Sequence, residues 1–292
     1  MAKIACFVEK YNFLHSAEEK ALLKFKETAE RLGHSYDFIF KEDLSNLLKY
    51  DAVFIRATTD PLYTSYVVSK MAWEHGLKVV DDPISIKICA NKVHQYELLE
   101  RFNVPIIPTI FLSKEELHHK QIEEIFQRFG KPVVVKAPYT CFSKYVEKAA
   151  CETSFRKVAK KFFRKSDIIV VQKFIPTTFD WRVGVLNNQV LYVCKYMMPR
   201  GKWKHGVKQR GKQSFIWGRT ITLKRDNAPK KLKELALKAC SIVGNGLYGV
   251  DIKEVNGKYV VVEVNDNPTI YSGYEDLRDG DIYEKIINYL VS

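Results

Sequence analysis

The sequence predicts an α/β protein in which a parallel-sheet unit is followed by a larger part of mixed α+β character. Over residues 1–88, short β-type runs alternate with segments of helical periodicity, which is typical of a parallel sheet with helices on both faces. From residue 89 onward, hairpin patterns and proline-interrupted strands alternate with helices. The chain has 292 residues, about twice the usual size of one domain, so we expect more than one domain.

Local signals define the elements of the first unit. Apolar runs of high β-propensity predict four strands, at 3–8, 36–40, 52–55 and 78–80. Ser16 and Glu19 have the spacing of a capping box, so a helix should begin at Ser16 and end at Gly33. A second helix is expected at 63–74, where Gly76 follows it.

The second part opens with a helix at 92–102 and continues as a strand–helix–strand block that we interpret as a lid. Asn187 and Asn188 tolerate left-handed backbone conformations, so they predict the turn of a hairpin over 181–196. The remaining predicted elements are helices at 228–243 and 281–291 and strands at 250–253 and 259–264, joined by a tight Asn256–Gly257 turn.

The composition excludes several classes of protein. With 46% apolar and 28% charged residues, the chain is neither disordered nor fibrous. No apolar run approaches the length of a membrane-spanning helix, and the N-terminus lacks a secretory signal. The six cysteines form no CxxC pair, which favours reduced thiols in the cytoplasm over disulfides or zinc. The net charge of +13 indicates an anionic partner: nucleic acid, a membrane, a nucleotide or an acidic substrate.

The strongest functional pattern is the sequence GVDIKEVNGKYVVVEVNDNP near the C-terminus. Side chains alternate along a strand, so Asp251 shares a face with Lys253, and Glu263 shares a face of the next strand with Asn265. A tight hairpin would bring Asp251, Glu263 and Asn265 together. Two carboxylates and an amide oxygen suit a magnesium ion that bridges phosphates. The competing interpretation is the solvated polar face of an amphipathic hairpin.

Two lysines and one strand end complete the candidate set. Lys136 interrupts the apolar run VVVKAP, and a buried lysine is costly unless it meets an anion such as phosphate; the alternative is a side chain that reaches water. Lys92 opens a helix and by itself would be a solvated surface residue. The strand VVQKFIP ends in proline, so its backbone N–H and C=O groups could bind the edge of an adenine. The alternative is a plain hinge between domains.

One glycine motif is a false signal. Gly244, Gly246 and Gly249 spell GxGxxG, but a helix precedes them and a strand follows. A dinucleotide fingerprint needs the opposite order, because the pyrophosphate must meet a helix N-terminus.

The chain resembles the ATP-grasp superfamily in five features that follow one another in the expected order: Lys92, VVVKAP, VQKFIP, DWRVGVLNNQVLYVCKY and LYGVDIKEVNGKYVVVEVNDNP. Within it, the chain is similar to the RimK-type amino-acid ligases, which are related to ribosomal-protein glutamate ligase and glutathione synthetase. The resemblance is close over 85–288. It implies a pre-ATP-grasp domain at 1–88 and an ATP-grasp domain at 89–292. The latter would comprise a mobile lid at about 105–171 and a catalytic lobe at about 172–292.

The resemblance also implies roles for single residues. Lys92 and Lys136 match the lysines that contact the ATP phosphates. Asp251, Glu263 and Asn265 match the ligands of two Mg²⁺ (or Mn²⁺) ions, and Arg182 and Lys195 should point into the reaction cleft. Backbone groups of Gln172, Lys173, Phe174 and Ile175 would hold adenine, with Asp180 at the ribose end. The lid loop APYTCFSKYVEKA departs from relatives because it has no glycine, so Ser143 would donate through its hydroxyl.

The implied reaction is the ADP-forming ligation of a carboxylate and an amine through an acyl-phosphate. One substrate would be an amino acid such as glutamate, and the acceptor an acidic peptide tail or a small molecule. Relatives are often dimers or tetramers, which leaves a homo-oligomer open, but the sequence does not give the oligomeric state. Two rivals stay open: a non-catalytic nucleotide-binding module, indicated by the glycine-free loop, and a nucleic-acid binder, indicated by net charge without any recognised motif.

The positive charge is concentrated in two segments. Thirteen lysines and arginines lie between Lys195 and Lys233 with one acid, Asp226, and six more lie within 156–165 with none. The segment PRGKWKHGVKQRGKQ, which replaces the arginine–serine–asparagine stretch of relatives, belongs to the first. We interpret both segments as a cationic rim for nucleotide phosphates and an acidic acceptor; the alternative is a solvated basic face.

The cationic rim can be tested by charge reversal. Replacing Lys202, Lys204 and Lys208 with glutamate should raise the KM for an acidic acceptor, because like charges then face each other. The Kd for ATP should change little. Steady-state kinetics at varied acceptor concentration checks this, and an unchanged acceptor KM would contradict it.

Overall fold

The computed structural model describes residues 1–139, 145–208 and 215–292. The first four strands are β1 (Lys3–Phe7), β2 (Ser35–Ile39), β3 (Ala52–Ile55) and β4 (Lys78–Val80). They form a parallel sheet in the order β2-β1-β3-β4. All residues of β3 are buried, which is why this strand is a continuous apolar run. The predicted parallel sheet is confirmed.

Helices cover both faces of this sheet. They are α1 (Ser16–Arg31), α2 (Thr64–Glu74) and, from the end of the chain, α8 (Ile282–Leu290). Ile4 and Cys6 of β1 pack in one cluster with α1 and α8, whereas Ala5 and Phe7 pack with α2 on the other face. The predicted capping box at Ser16 is wrong: Ser16 is already helical and His15 is the N-cap, without a side-chain hydrogen bond.

Two short helices connect this unit to the rest of the chain. They are α3 (Pro83–Ala90) and α4 (Lys92–Arg101). Asn91 ends α3 and caps α4, because its side-chain oxygen accepts from the backbone N–H groups of Val93 at 2.9 Å and His94 at 3.1 Å. The cap fixes Lys92 as the first residue of α4.

The middle of the chain forms a second, antiparallel sheet. Its strands are β5 (Thr109–Ser113), β6 (Val133–Lys136), β7 (Val146–Ala149) and β8 (Ile168–Lys173), in the order β5-β8-β6-β7. Helices α5 (His119–Phe129) and α6 (Glu152–Phe162) bury their apolar sides in its core. β7 escaped prediction because its sequence VEKA is half charged and only its last residue is buried.

The last sheet contains the longest strands. They are β9 (Phe179–Leu186), β10 (Gln189–Met197), β13 (Thr220–Leu223), β14 (Leu247–Val255) and β15 (Lys258–Asp266). The order is β13-β10-β9-β14-β15, and all pairs are antiparallel. A separate ribbon of β11 (Gly206–Lys208) and β12 (Phe215–Trp217) lies between β10 and β13 in the chain.

Helix α7 (Lys230–Val243) covers one face of the last sheet. It packs against the apolar side of β9 and β14, where Val183 and Val250 are fully buried. Within the described residues, no helix has both the length and the apolar character needed to cross a membrane.

Both predicted hairpin turns are present in this sheet. Asn187 and Asn188 have φ angles of 46° and 56°, and Asn256 and Gly257 have φ angles of 49° and 72°. Positive φ at both central residues matches the twist of the flanking strands, which is why asparagine and glycine occupy these turns. The β9–β10 and β14–β15 pairs follow directly from them.

The outer edge of β15 is covered by the chain around α4. The Gln95 side-chain oxygen accepts a hydrogen bond from the backbone N–H of Val264 at 2.8 Å, and its Nε2 donates to the backbone oxygen of Val264 at 2.7 Å. The Val261 N–H donates to the Pro105 oxygen at 2.8 Å, and its oxygen accepts from Ile107 at 3.3 Å. An edge strand needs such partners when it is buried.

Replacing Gln95 with leucine tests this edge. Leucine fills the buried space but leaves both polar groups of Val264 without a partner, which should lower the free energy of unfolding by about 2–4 kcal/mol. Urea denaturation measures the change. The exposed Gln189 provides the control, and Gln189→Leu should cost less than about 0.5 kcal/mol. Equal stabilities of the two variants would contradict the role of Gln95.

Candidate active site

A cluster of charged side chains lies on the face of the last sheet that is turned away from α7. Arg182 pairs with Asp251 across β9 and β14, and Asp251 pairs with Glu263 across β14 and β15. Directly paired residues of antiparallel strands share a face, so the three side chains are neighbours. The Asn265 amide nitrogen lies 3.3 Å from Asp251 Oδ2. The structure thus brings Asp251, Glu263, Asn265 and Arg182 together.

A β-bulge places Glu263 on this face. The register shifts between Asp251 and Ile252, because Ile252 pairs with Val261 while Asp251 pairs with Glu263. Val262 is therefore the extra residue. Without this bulge, the two-residue turn at 256–257 would place Val262 opposite Asp251, and the Glu263 side chain would point to the other face of the sheet. The site depends on one inserted residue.

Arg182 and Asp251 form a bidentate ion pair. Arg182 Nε lies 2.7 Å from Asp251 Oδ1, and a terminal nitrogen donates to Oδ2 at 3.0 Å. Burial raises the pKa of Asp251 to about 6, because the Arg182 guanidinium opposes this effect only in part and Glu263 adds to it. A Cβ atom on Gly249 would lie 2.7 Å from an Arg182 nitrogen and 2.7 Å from the Cβ of Pro268, so a larger residue would displace one of them. This accounts for the last glycine of the misleading GxGxxG motif.

Two buried lysines approach the same cluster from other elements. Lys92 Nζ at the start of α4 lies 3.9 Å from Glu263 Oε2, and Lys136 stands at the end of β6. The two residues are 6% and 5% exposed. Burial would raise the pKa of Glu263, but Lys92, Lys136 and Arg182 outweigh it and lower that pKa. Burial also lowers the pKa of the Lys136 ammonium, against the attraction of Glu263 and Asp251.

The charges of this cluster suit an anionic ligand with a divalent cation. Arg182, Lys92 and Lys136 surround two carboxylates, so positive charge is in excess. Each carboxylate has about four lone-pair positions, so Asp251 can keep its bonds to Arg182 and still bind a cation. The described residues contain no group of three or more His, Cys, Asp or Glu side chains suited to a metal. The donor set is instead two carboxylates and the Asn265 amide, the hard oxygens that Mg²⁺ prefers.

The predicted adenine segment comprises the last two residues of β8 and the two residues that follow it. Gln172 is buried, and its amide donates to Thr109 Oγ1 at 2.8 Å. The Lys173 N–H donates to the Pro108 oxygen at 3.0 Å, and its side chain is exposed. The Phe174 ring meets Trp203 edge-on at 5.9 Å, and Ile175 is half-buried.

Asp180, the predicted ribose contact, stands on the charged face of β9. It accepts from Lys253 Nζ at 2.5 Å and from Thr177 Oγ1 at 2.9 Å. Lys253, predicted to share a face with Asp251, therefore balances the charge of Asp180. Ser143, the predicted lid-loop donor, lies outside the described residues.

The prediction that Lys195 points into the cleft with Arg182 is wrong. Arg182 pairs with Cys194, whereas Lys195 pairs with Trp181 on the opposite face. Its Nζ lies 4.5 Å from the centre of the Phe179 ring and 4.6 Å from that of Trp181. The cause is a second bulge at Leu191, without which Lys195 would pair with Asp180 on the charged face.

The sequence patterns did not predict the role of the Tyr96 hydroxyl or the contact that Lys204 makes with the middle sheet. The Tyr96 hydroxyl accepts from Lys136 Nζ at 2.9 Å; its one signal was its position one helical turn after Lys92. Lys204, predicted to belong to the cationic rim, donates to the backbone oxygen of Val146 on β7. Burial lowers the pKa of Lys204 to about 8. The basic segment after β10 therefore contacts the middle sheet.

Comparisons with known proteins agree with this geometry. Residues 89–290 match the RimK-like ATP-grasp domain family. The chain is 25% identical to the glutamate–LysW ligase ArgX of Sulfolobus acidocaldarius, over 94% of both chains. It is 23% identical to a probable alpha-L-glutamate ligase of Vibrio vulnificus, over 92% of this chain and 90% of the relative.

A solved structure shows the same fold. It is the RimK domain ATP-grasp protein of Sphaerobacter thermophilus, with a TM-score of 0.73, 17% identity and full coverage of both chains. The predicted ATP-grasp fold and the predicted enzyme class, an ADP-forming carbon–nitrogen ligase, are confirmed by these matches. The family match spans more than half of the sequence, and the chain belongs to the RimK-like ATP-grasp family.

Proposed function

We propose that this ligase forms an amide bond in which one partner is glutamate or a related acidic amino acid and the other is an acceptor such as an acidic peptide tail. The observation that carries the proposal is the Asp251–Glu263 carboxylate pair, enclosed by Arg182, Lys92 and Lys136. The two curated relatives are named as glutamate ligases, which supports the amino acid. The glutamate–LysW ligase has a protein acceptor by name, which supports a peptide tail.

The proposed reaction has two steps. A carboxylate oxygen attacks the γ-phosphorus of ATP, and the bond to the β-bridging oxygen breaks to release ADP. The amine then attacks the acyl carbon, phosphate leaves, and the amine loses a proton as the amide forms. The protein contributes position and charge neutralisation to both steps.

We assign the roles within this scheme as follows. Lys92 and Lys136 bind the phosphates, and Arg182 stabilises negative charge that develops on the transferred group and the acyl-phosphate. Asp251, Glu263 and Asn265 would hold Mg²⁺ or Mn²⁺, with two ions in the complete site. When bound, these ions neutralise phosphate charge and act as Lewis acids.

The remaining assignments concern nucleotide binding and domain movement. Adenine is bound by backbone groups of Gln172, Lys173, Phe174 and Ile175. Asp180 contacts the ribose, and the Ser143 hydroxyl donates to the phosphates. The domains are 1–88 and 89–292, with a lid at about 105–171 that closes on a lobe at 172–292. Closure would exclude water, which otherwise hydrolyses the acyl-phosphate.

Replacement of Glu263 with alanine tests the proposal. ADP release is measured with ATP, MgCl2, glutamate and hexaglutamate, which offers both carboxylates and an amine, and mass spectrometry checks for peptides longer by one glutamate. Glu263→Ala should reduce ADP release at least about a hundredfold, because the cation that Glu263 would hold, and that would neutralise the phosphate charge, is lost.

The exposed Glu97 on α4 provides the control, and Glu97→Ala should behave like the wild type. Equal turnover in Glu263→Ala and wild type would refute the proposed site. Nucleotide binding without ADP release for any acid and amine would instead favour a non-catalytic module.

A further inference from the structure

The Tyr96 hydroxyl joins three elements of the site. Tyr96 belongs to α4 and is fully buried. Its hydroxyl lies 2.9 Å from Lys136 Nζ on β6 and 2.8 Å from the backbone oxygen of Val262 on β15. The neighbouring residue of Val262 is Glu263. One oxygen atom therefore connects the phosphate lysine of the middle sheet to the strand that carries a proposed metal ligand.

The direction of these hydrogen bonds is fixed by chemistry. An ammonium group only donates and a carbonyl only accepts, so the hydroxyl accepts from Lys136 and donates to Val262. Burial raises the pKa of Tyr96, so the hydroxyl keeps the proton that it donates. The chain Lys136–Tyr96–Val262 thus has a single arrangement of hydrogen atoms.

The contact leaves Lys136 able to bind a phosphate. An ammonium carries three N–H groups, and Tyr96 accepts one of them. The Lys136 Nζ also lies 5.4 Å from the centre of the Tyr96 ring. A lysine side chain has four rotatable bonds, and a site gains affinity when such a side chain is held in its bound orientation beforehand.

We propose that Tyr96 is a positioning residue that orients the Lys136 ammonium for ATP phosphates by fixing it to the strand of Glu263. The inference rests on the role of Lys136 given under the proposed function. Val262 supports it structurally, because this residue is the bulge that turns Glu263 toward Asp251. The same hydroxyl then sets the position of the lysine relative to the bulge.

Tyr96→Phe tests the proposal because it removes the hydroxyl and retains the buried ring. The probe is the non-hydrolysable nucleotide adenylyl imidodiphosphate with MgCl2, titrated by calorimetry. The expected result is a Kd about five- to tenfold higher, because the Lys136 side chain is then ordered only when the nucleotide binds. Circular dichroism and the Tm establish that the variant is folded.

Tyr248→Phe is the matched control. Tyr248 is equally buried, and its hydroxyl bonds to Ser85 Oγ at 2.7 Å and to the Gly246 N–H at 3.1 Å. This variant loses stability in the same way but should leave the nucleotide Kd within twofold of the wild-type value. A similar loss of affinity in both variants would mean that Tyr96 acts only through the fold, which would overturn the proposal.

A double-mutant cycle with Lys136→Met separates this inference from the proposed function. If Tyr96 acts through Lys136, Tyr96→Phe should change the Kd by less than about 1.5-fold in the Lys136→Met background. Additive effects would overturn the inference while leaving the role of Lys136 intact. Wild-type affinity of Lys136→Met alone would refute that role and the inference together.

Discussion

The outer edge of β15 is the constraint on which the site depends. Buried peptide groups need hydrogen-bond partners, and β15 has a neighbouring strand on one side only. The Gln95 amide, the Tyr96 hydroxyl and the chain at 105–107 supply them on the other side. Gln95 and Tyr96 follow Lys92 on α4. The helix that covers the edge of β15 therefore also brings the Lys92 Nζ to within 3.9 Å of Glu263 Oε2. The same helix thus satisfies the backbone groups at the edge of β15 and positions a lysine of the site.

Electrostatics then determine what the site can bind. Charged groups inside a protein are stable only when other charges or hydrogen bonds compensate them. Arg182 and Asp251 compensate each other, as do Lys253 and Asp180. Lys92 and Lys136 face Glu263 and leave positive charge in excess, which an anionic nucleotide can balance. This surplus is local and specific, unlike the formal charge of +13, which first left open nucleic acid, membranes and acidic substrates.

The basic segment after β10 gives the overall charge a structural context. Lys204 donates to the Val146 backbone on β7, and Trp203 meets Phe174 edge-on. The Nζ of Lys148 on β7 lies 4.4 Å from the centre of the Phe174 ring and 5.1 Å from the centre of the Trp203 ring. The segment therefore connects the last sheet with the middle sheet.

The sequence by itself determined the parallel sheet, both asparagine turns and the residue types of the site, because propensity, periodicity and turn chemistry are local. It also supplied the family, through motifs in a fixed order. Only the tertiary structure decided which residues meet. The bulge at Val262 turned Glu263 toward Asp251, and the bulge at Leu191 turned Lys195 away from Arg182. The pairing of Tyr96 with Lys136 likewise joins separate elements. One inserted residue reverses every later side chain of a strand, and packing across the whole sheet selects that register.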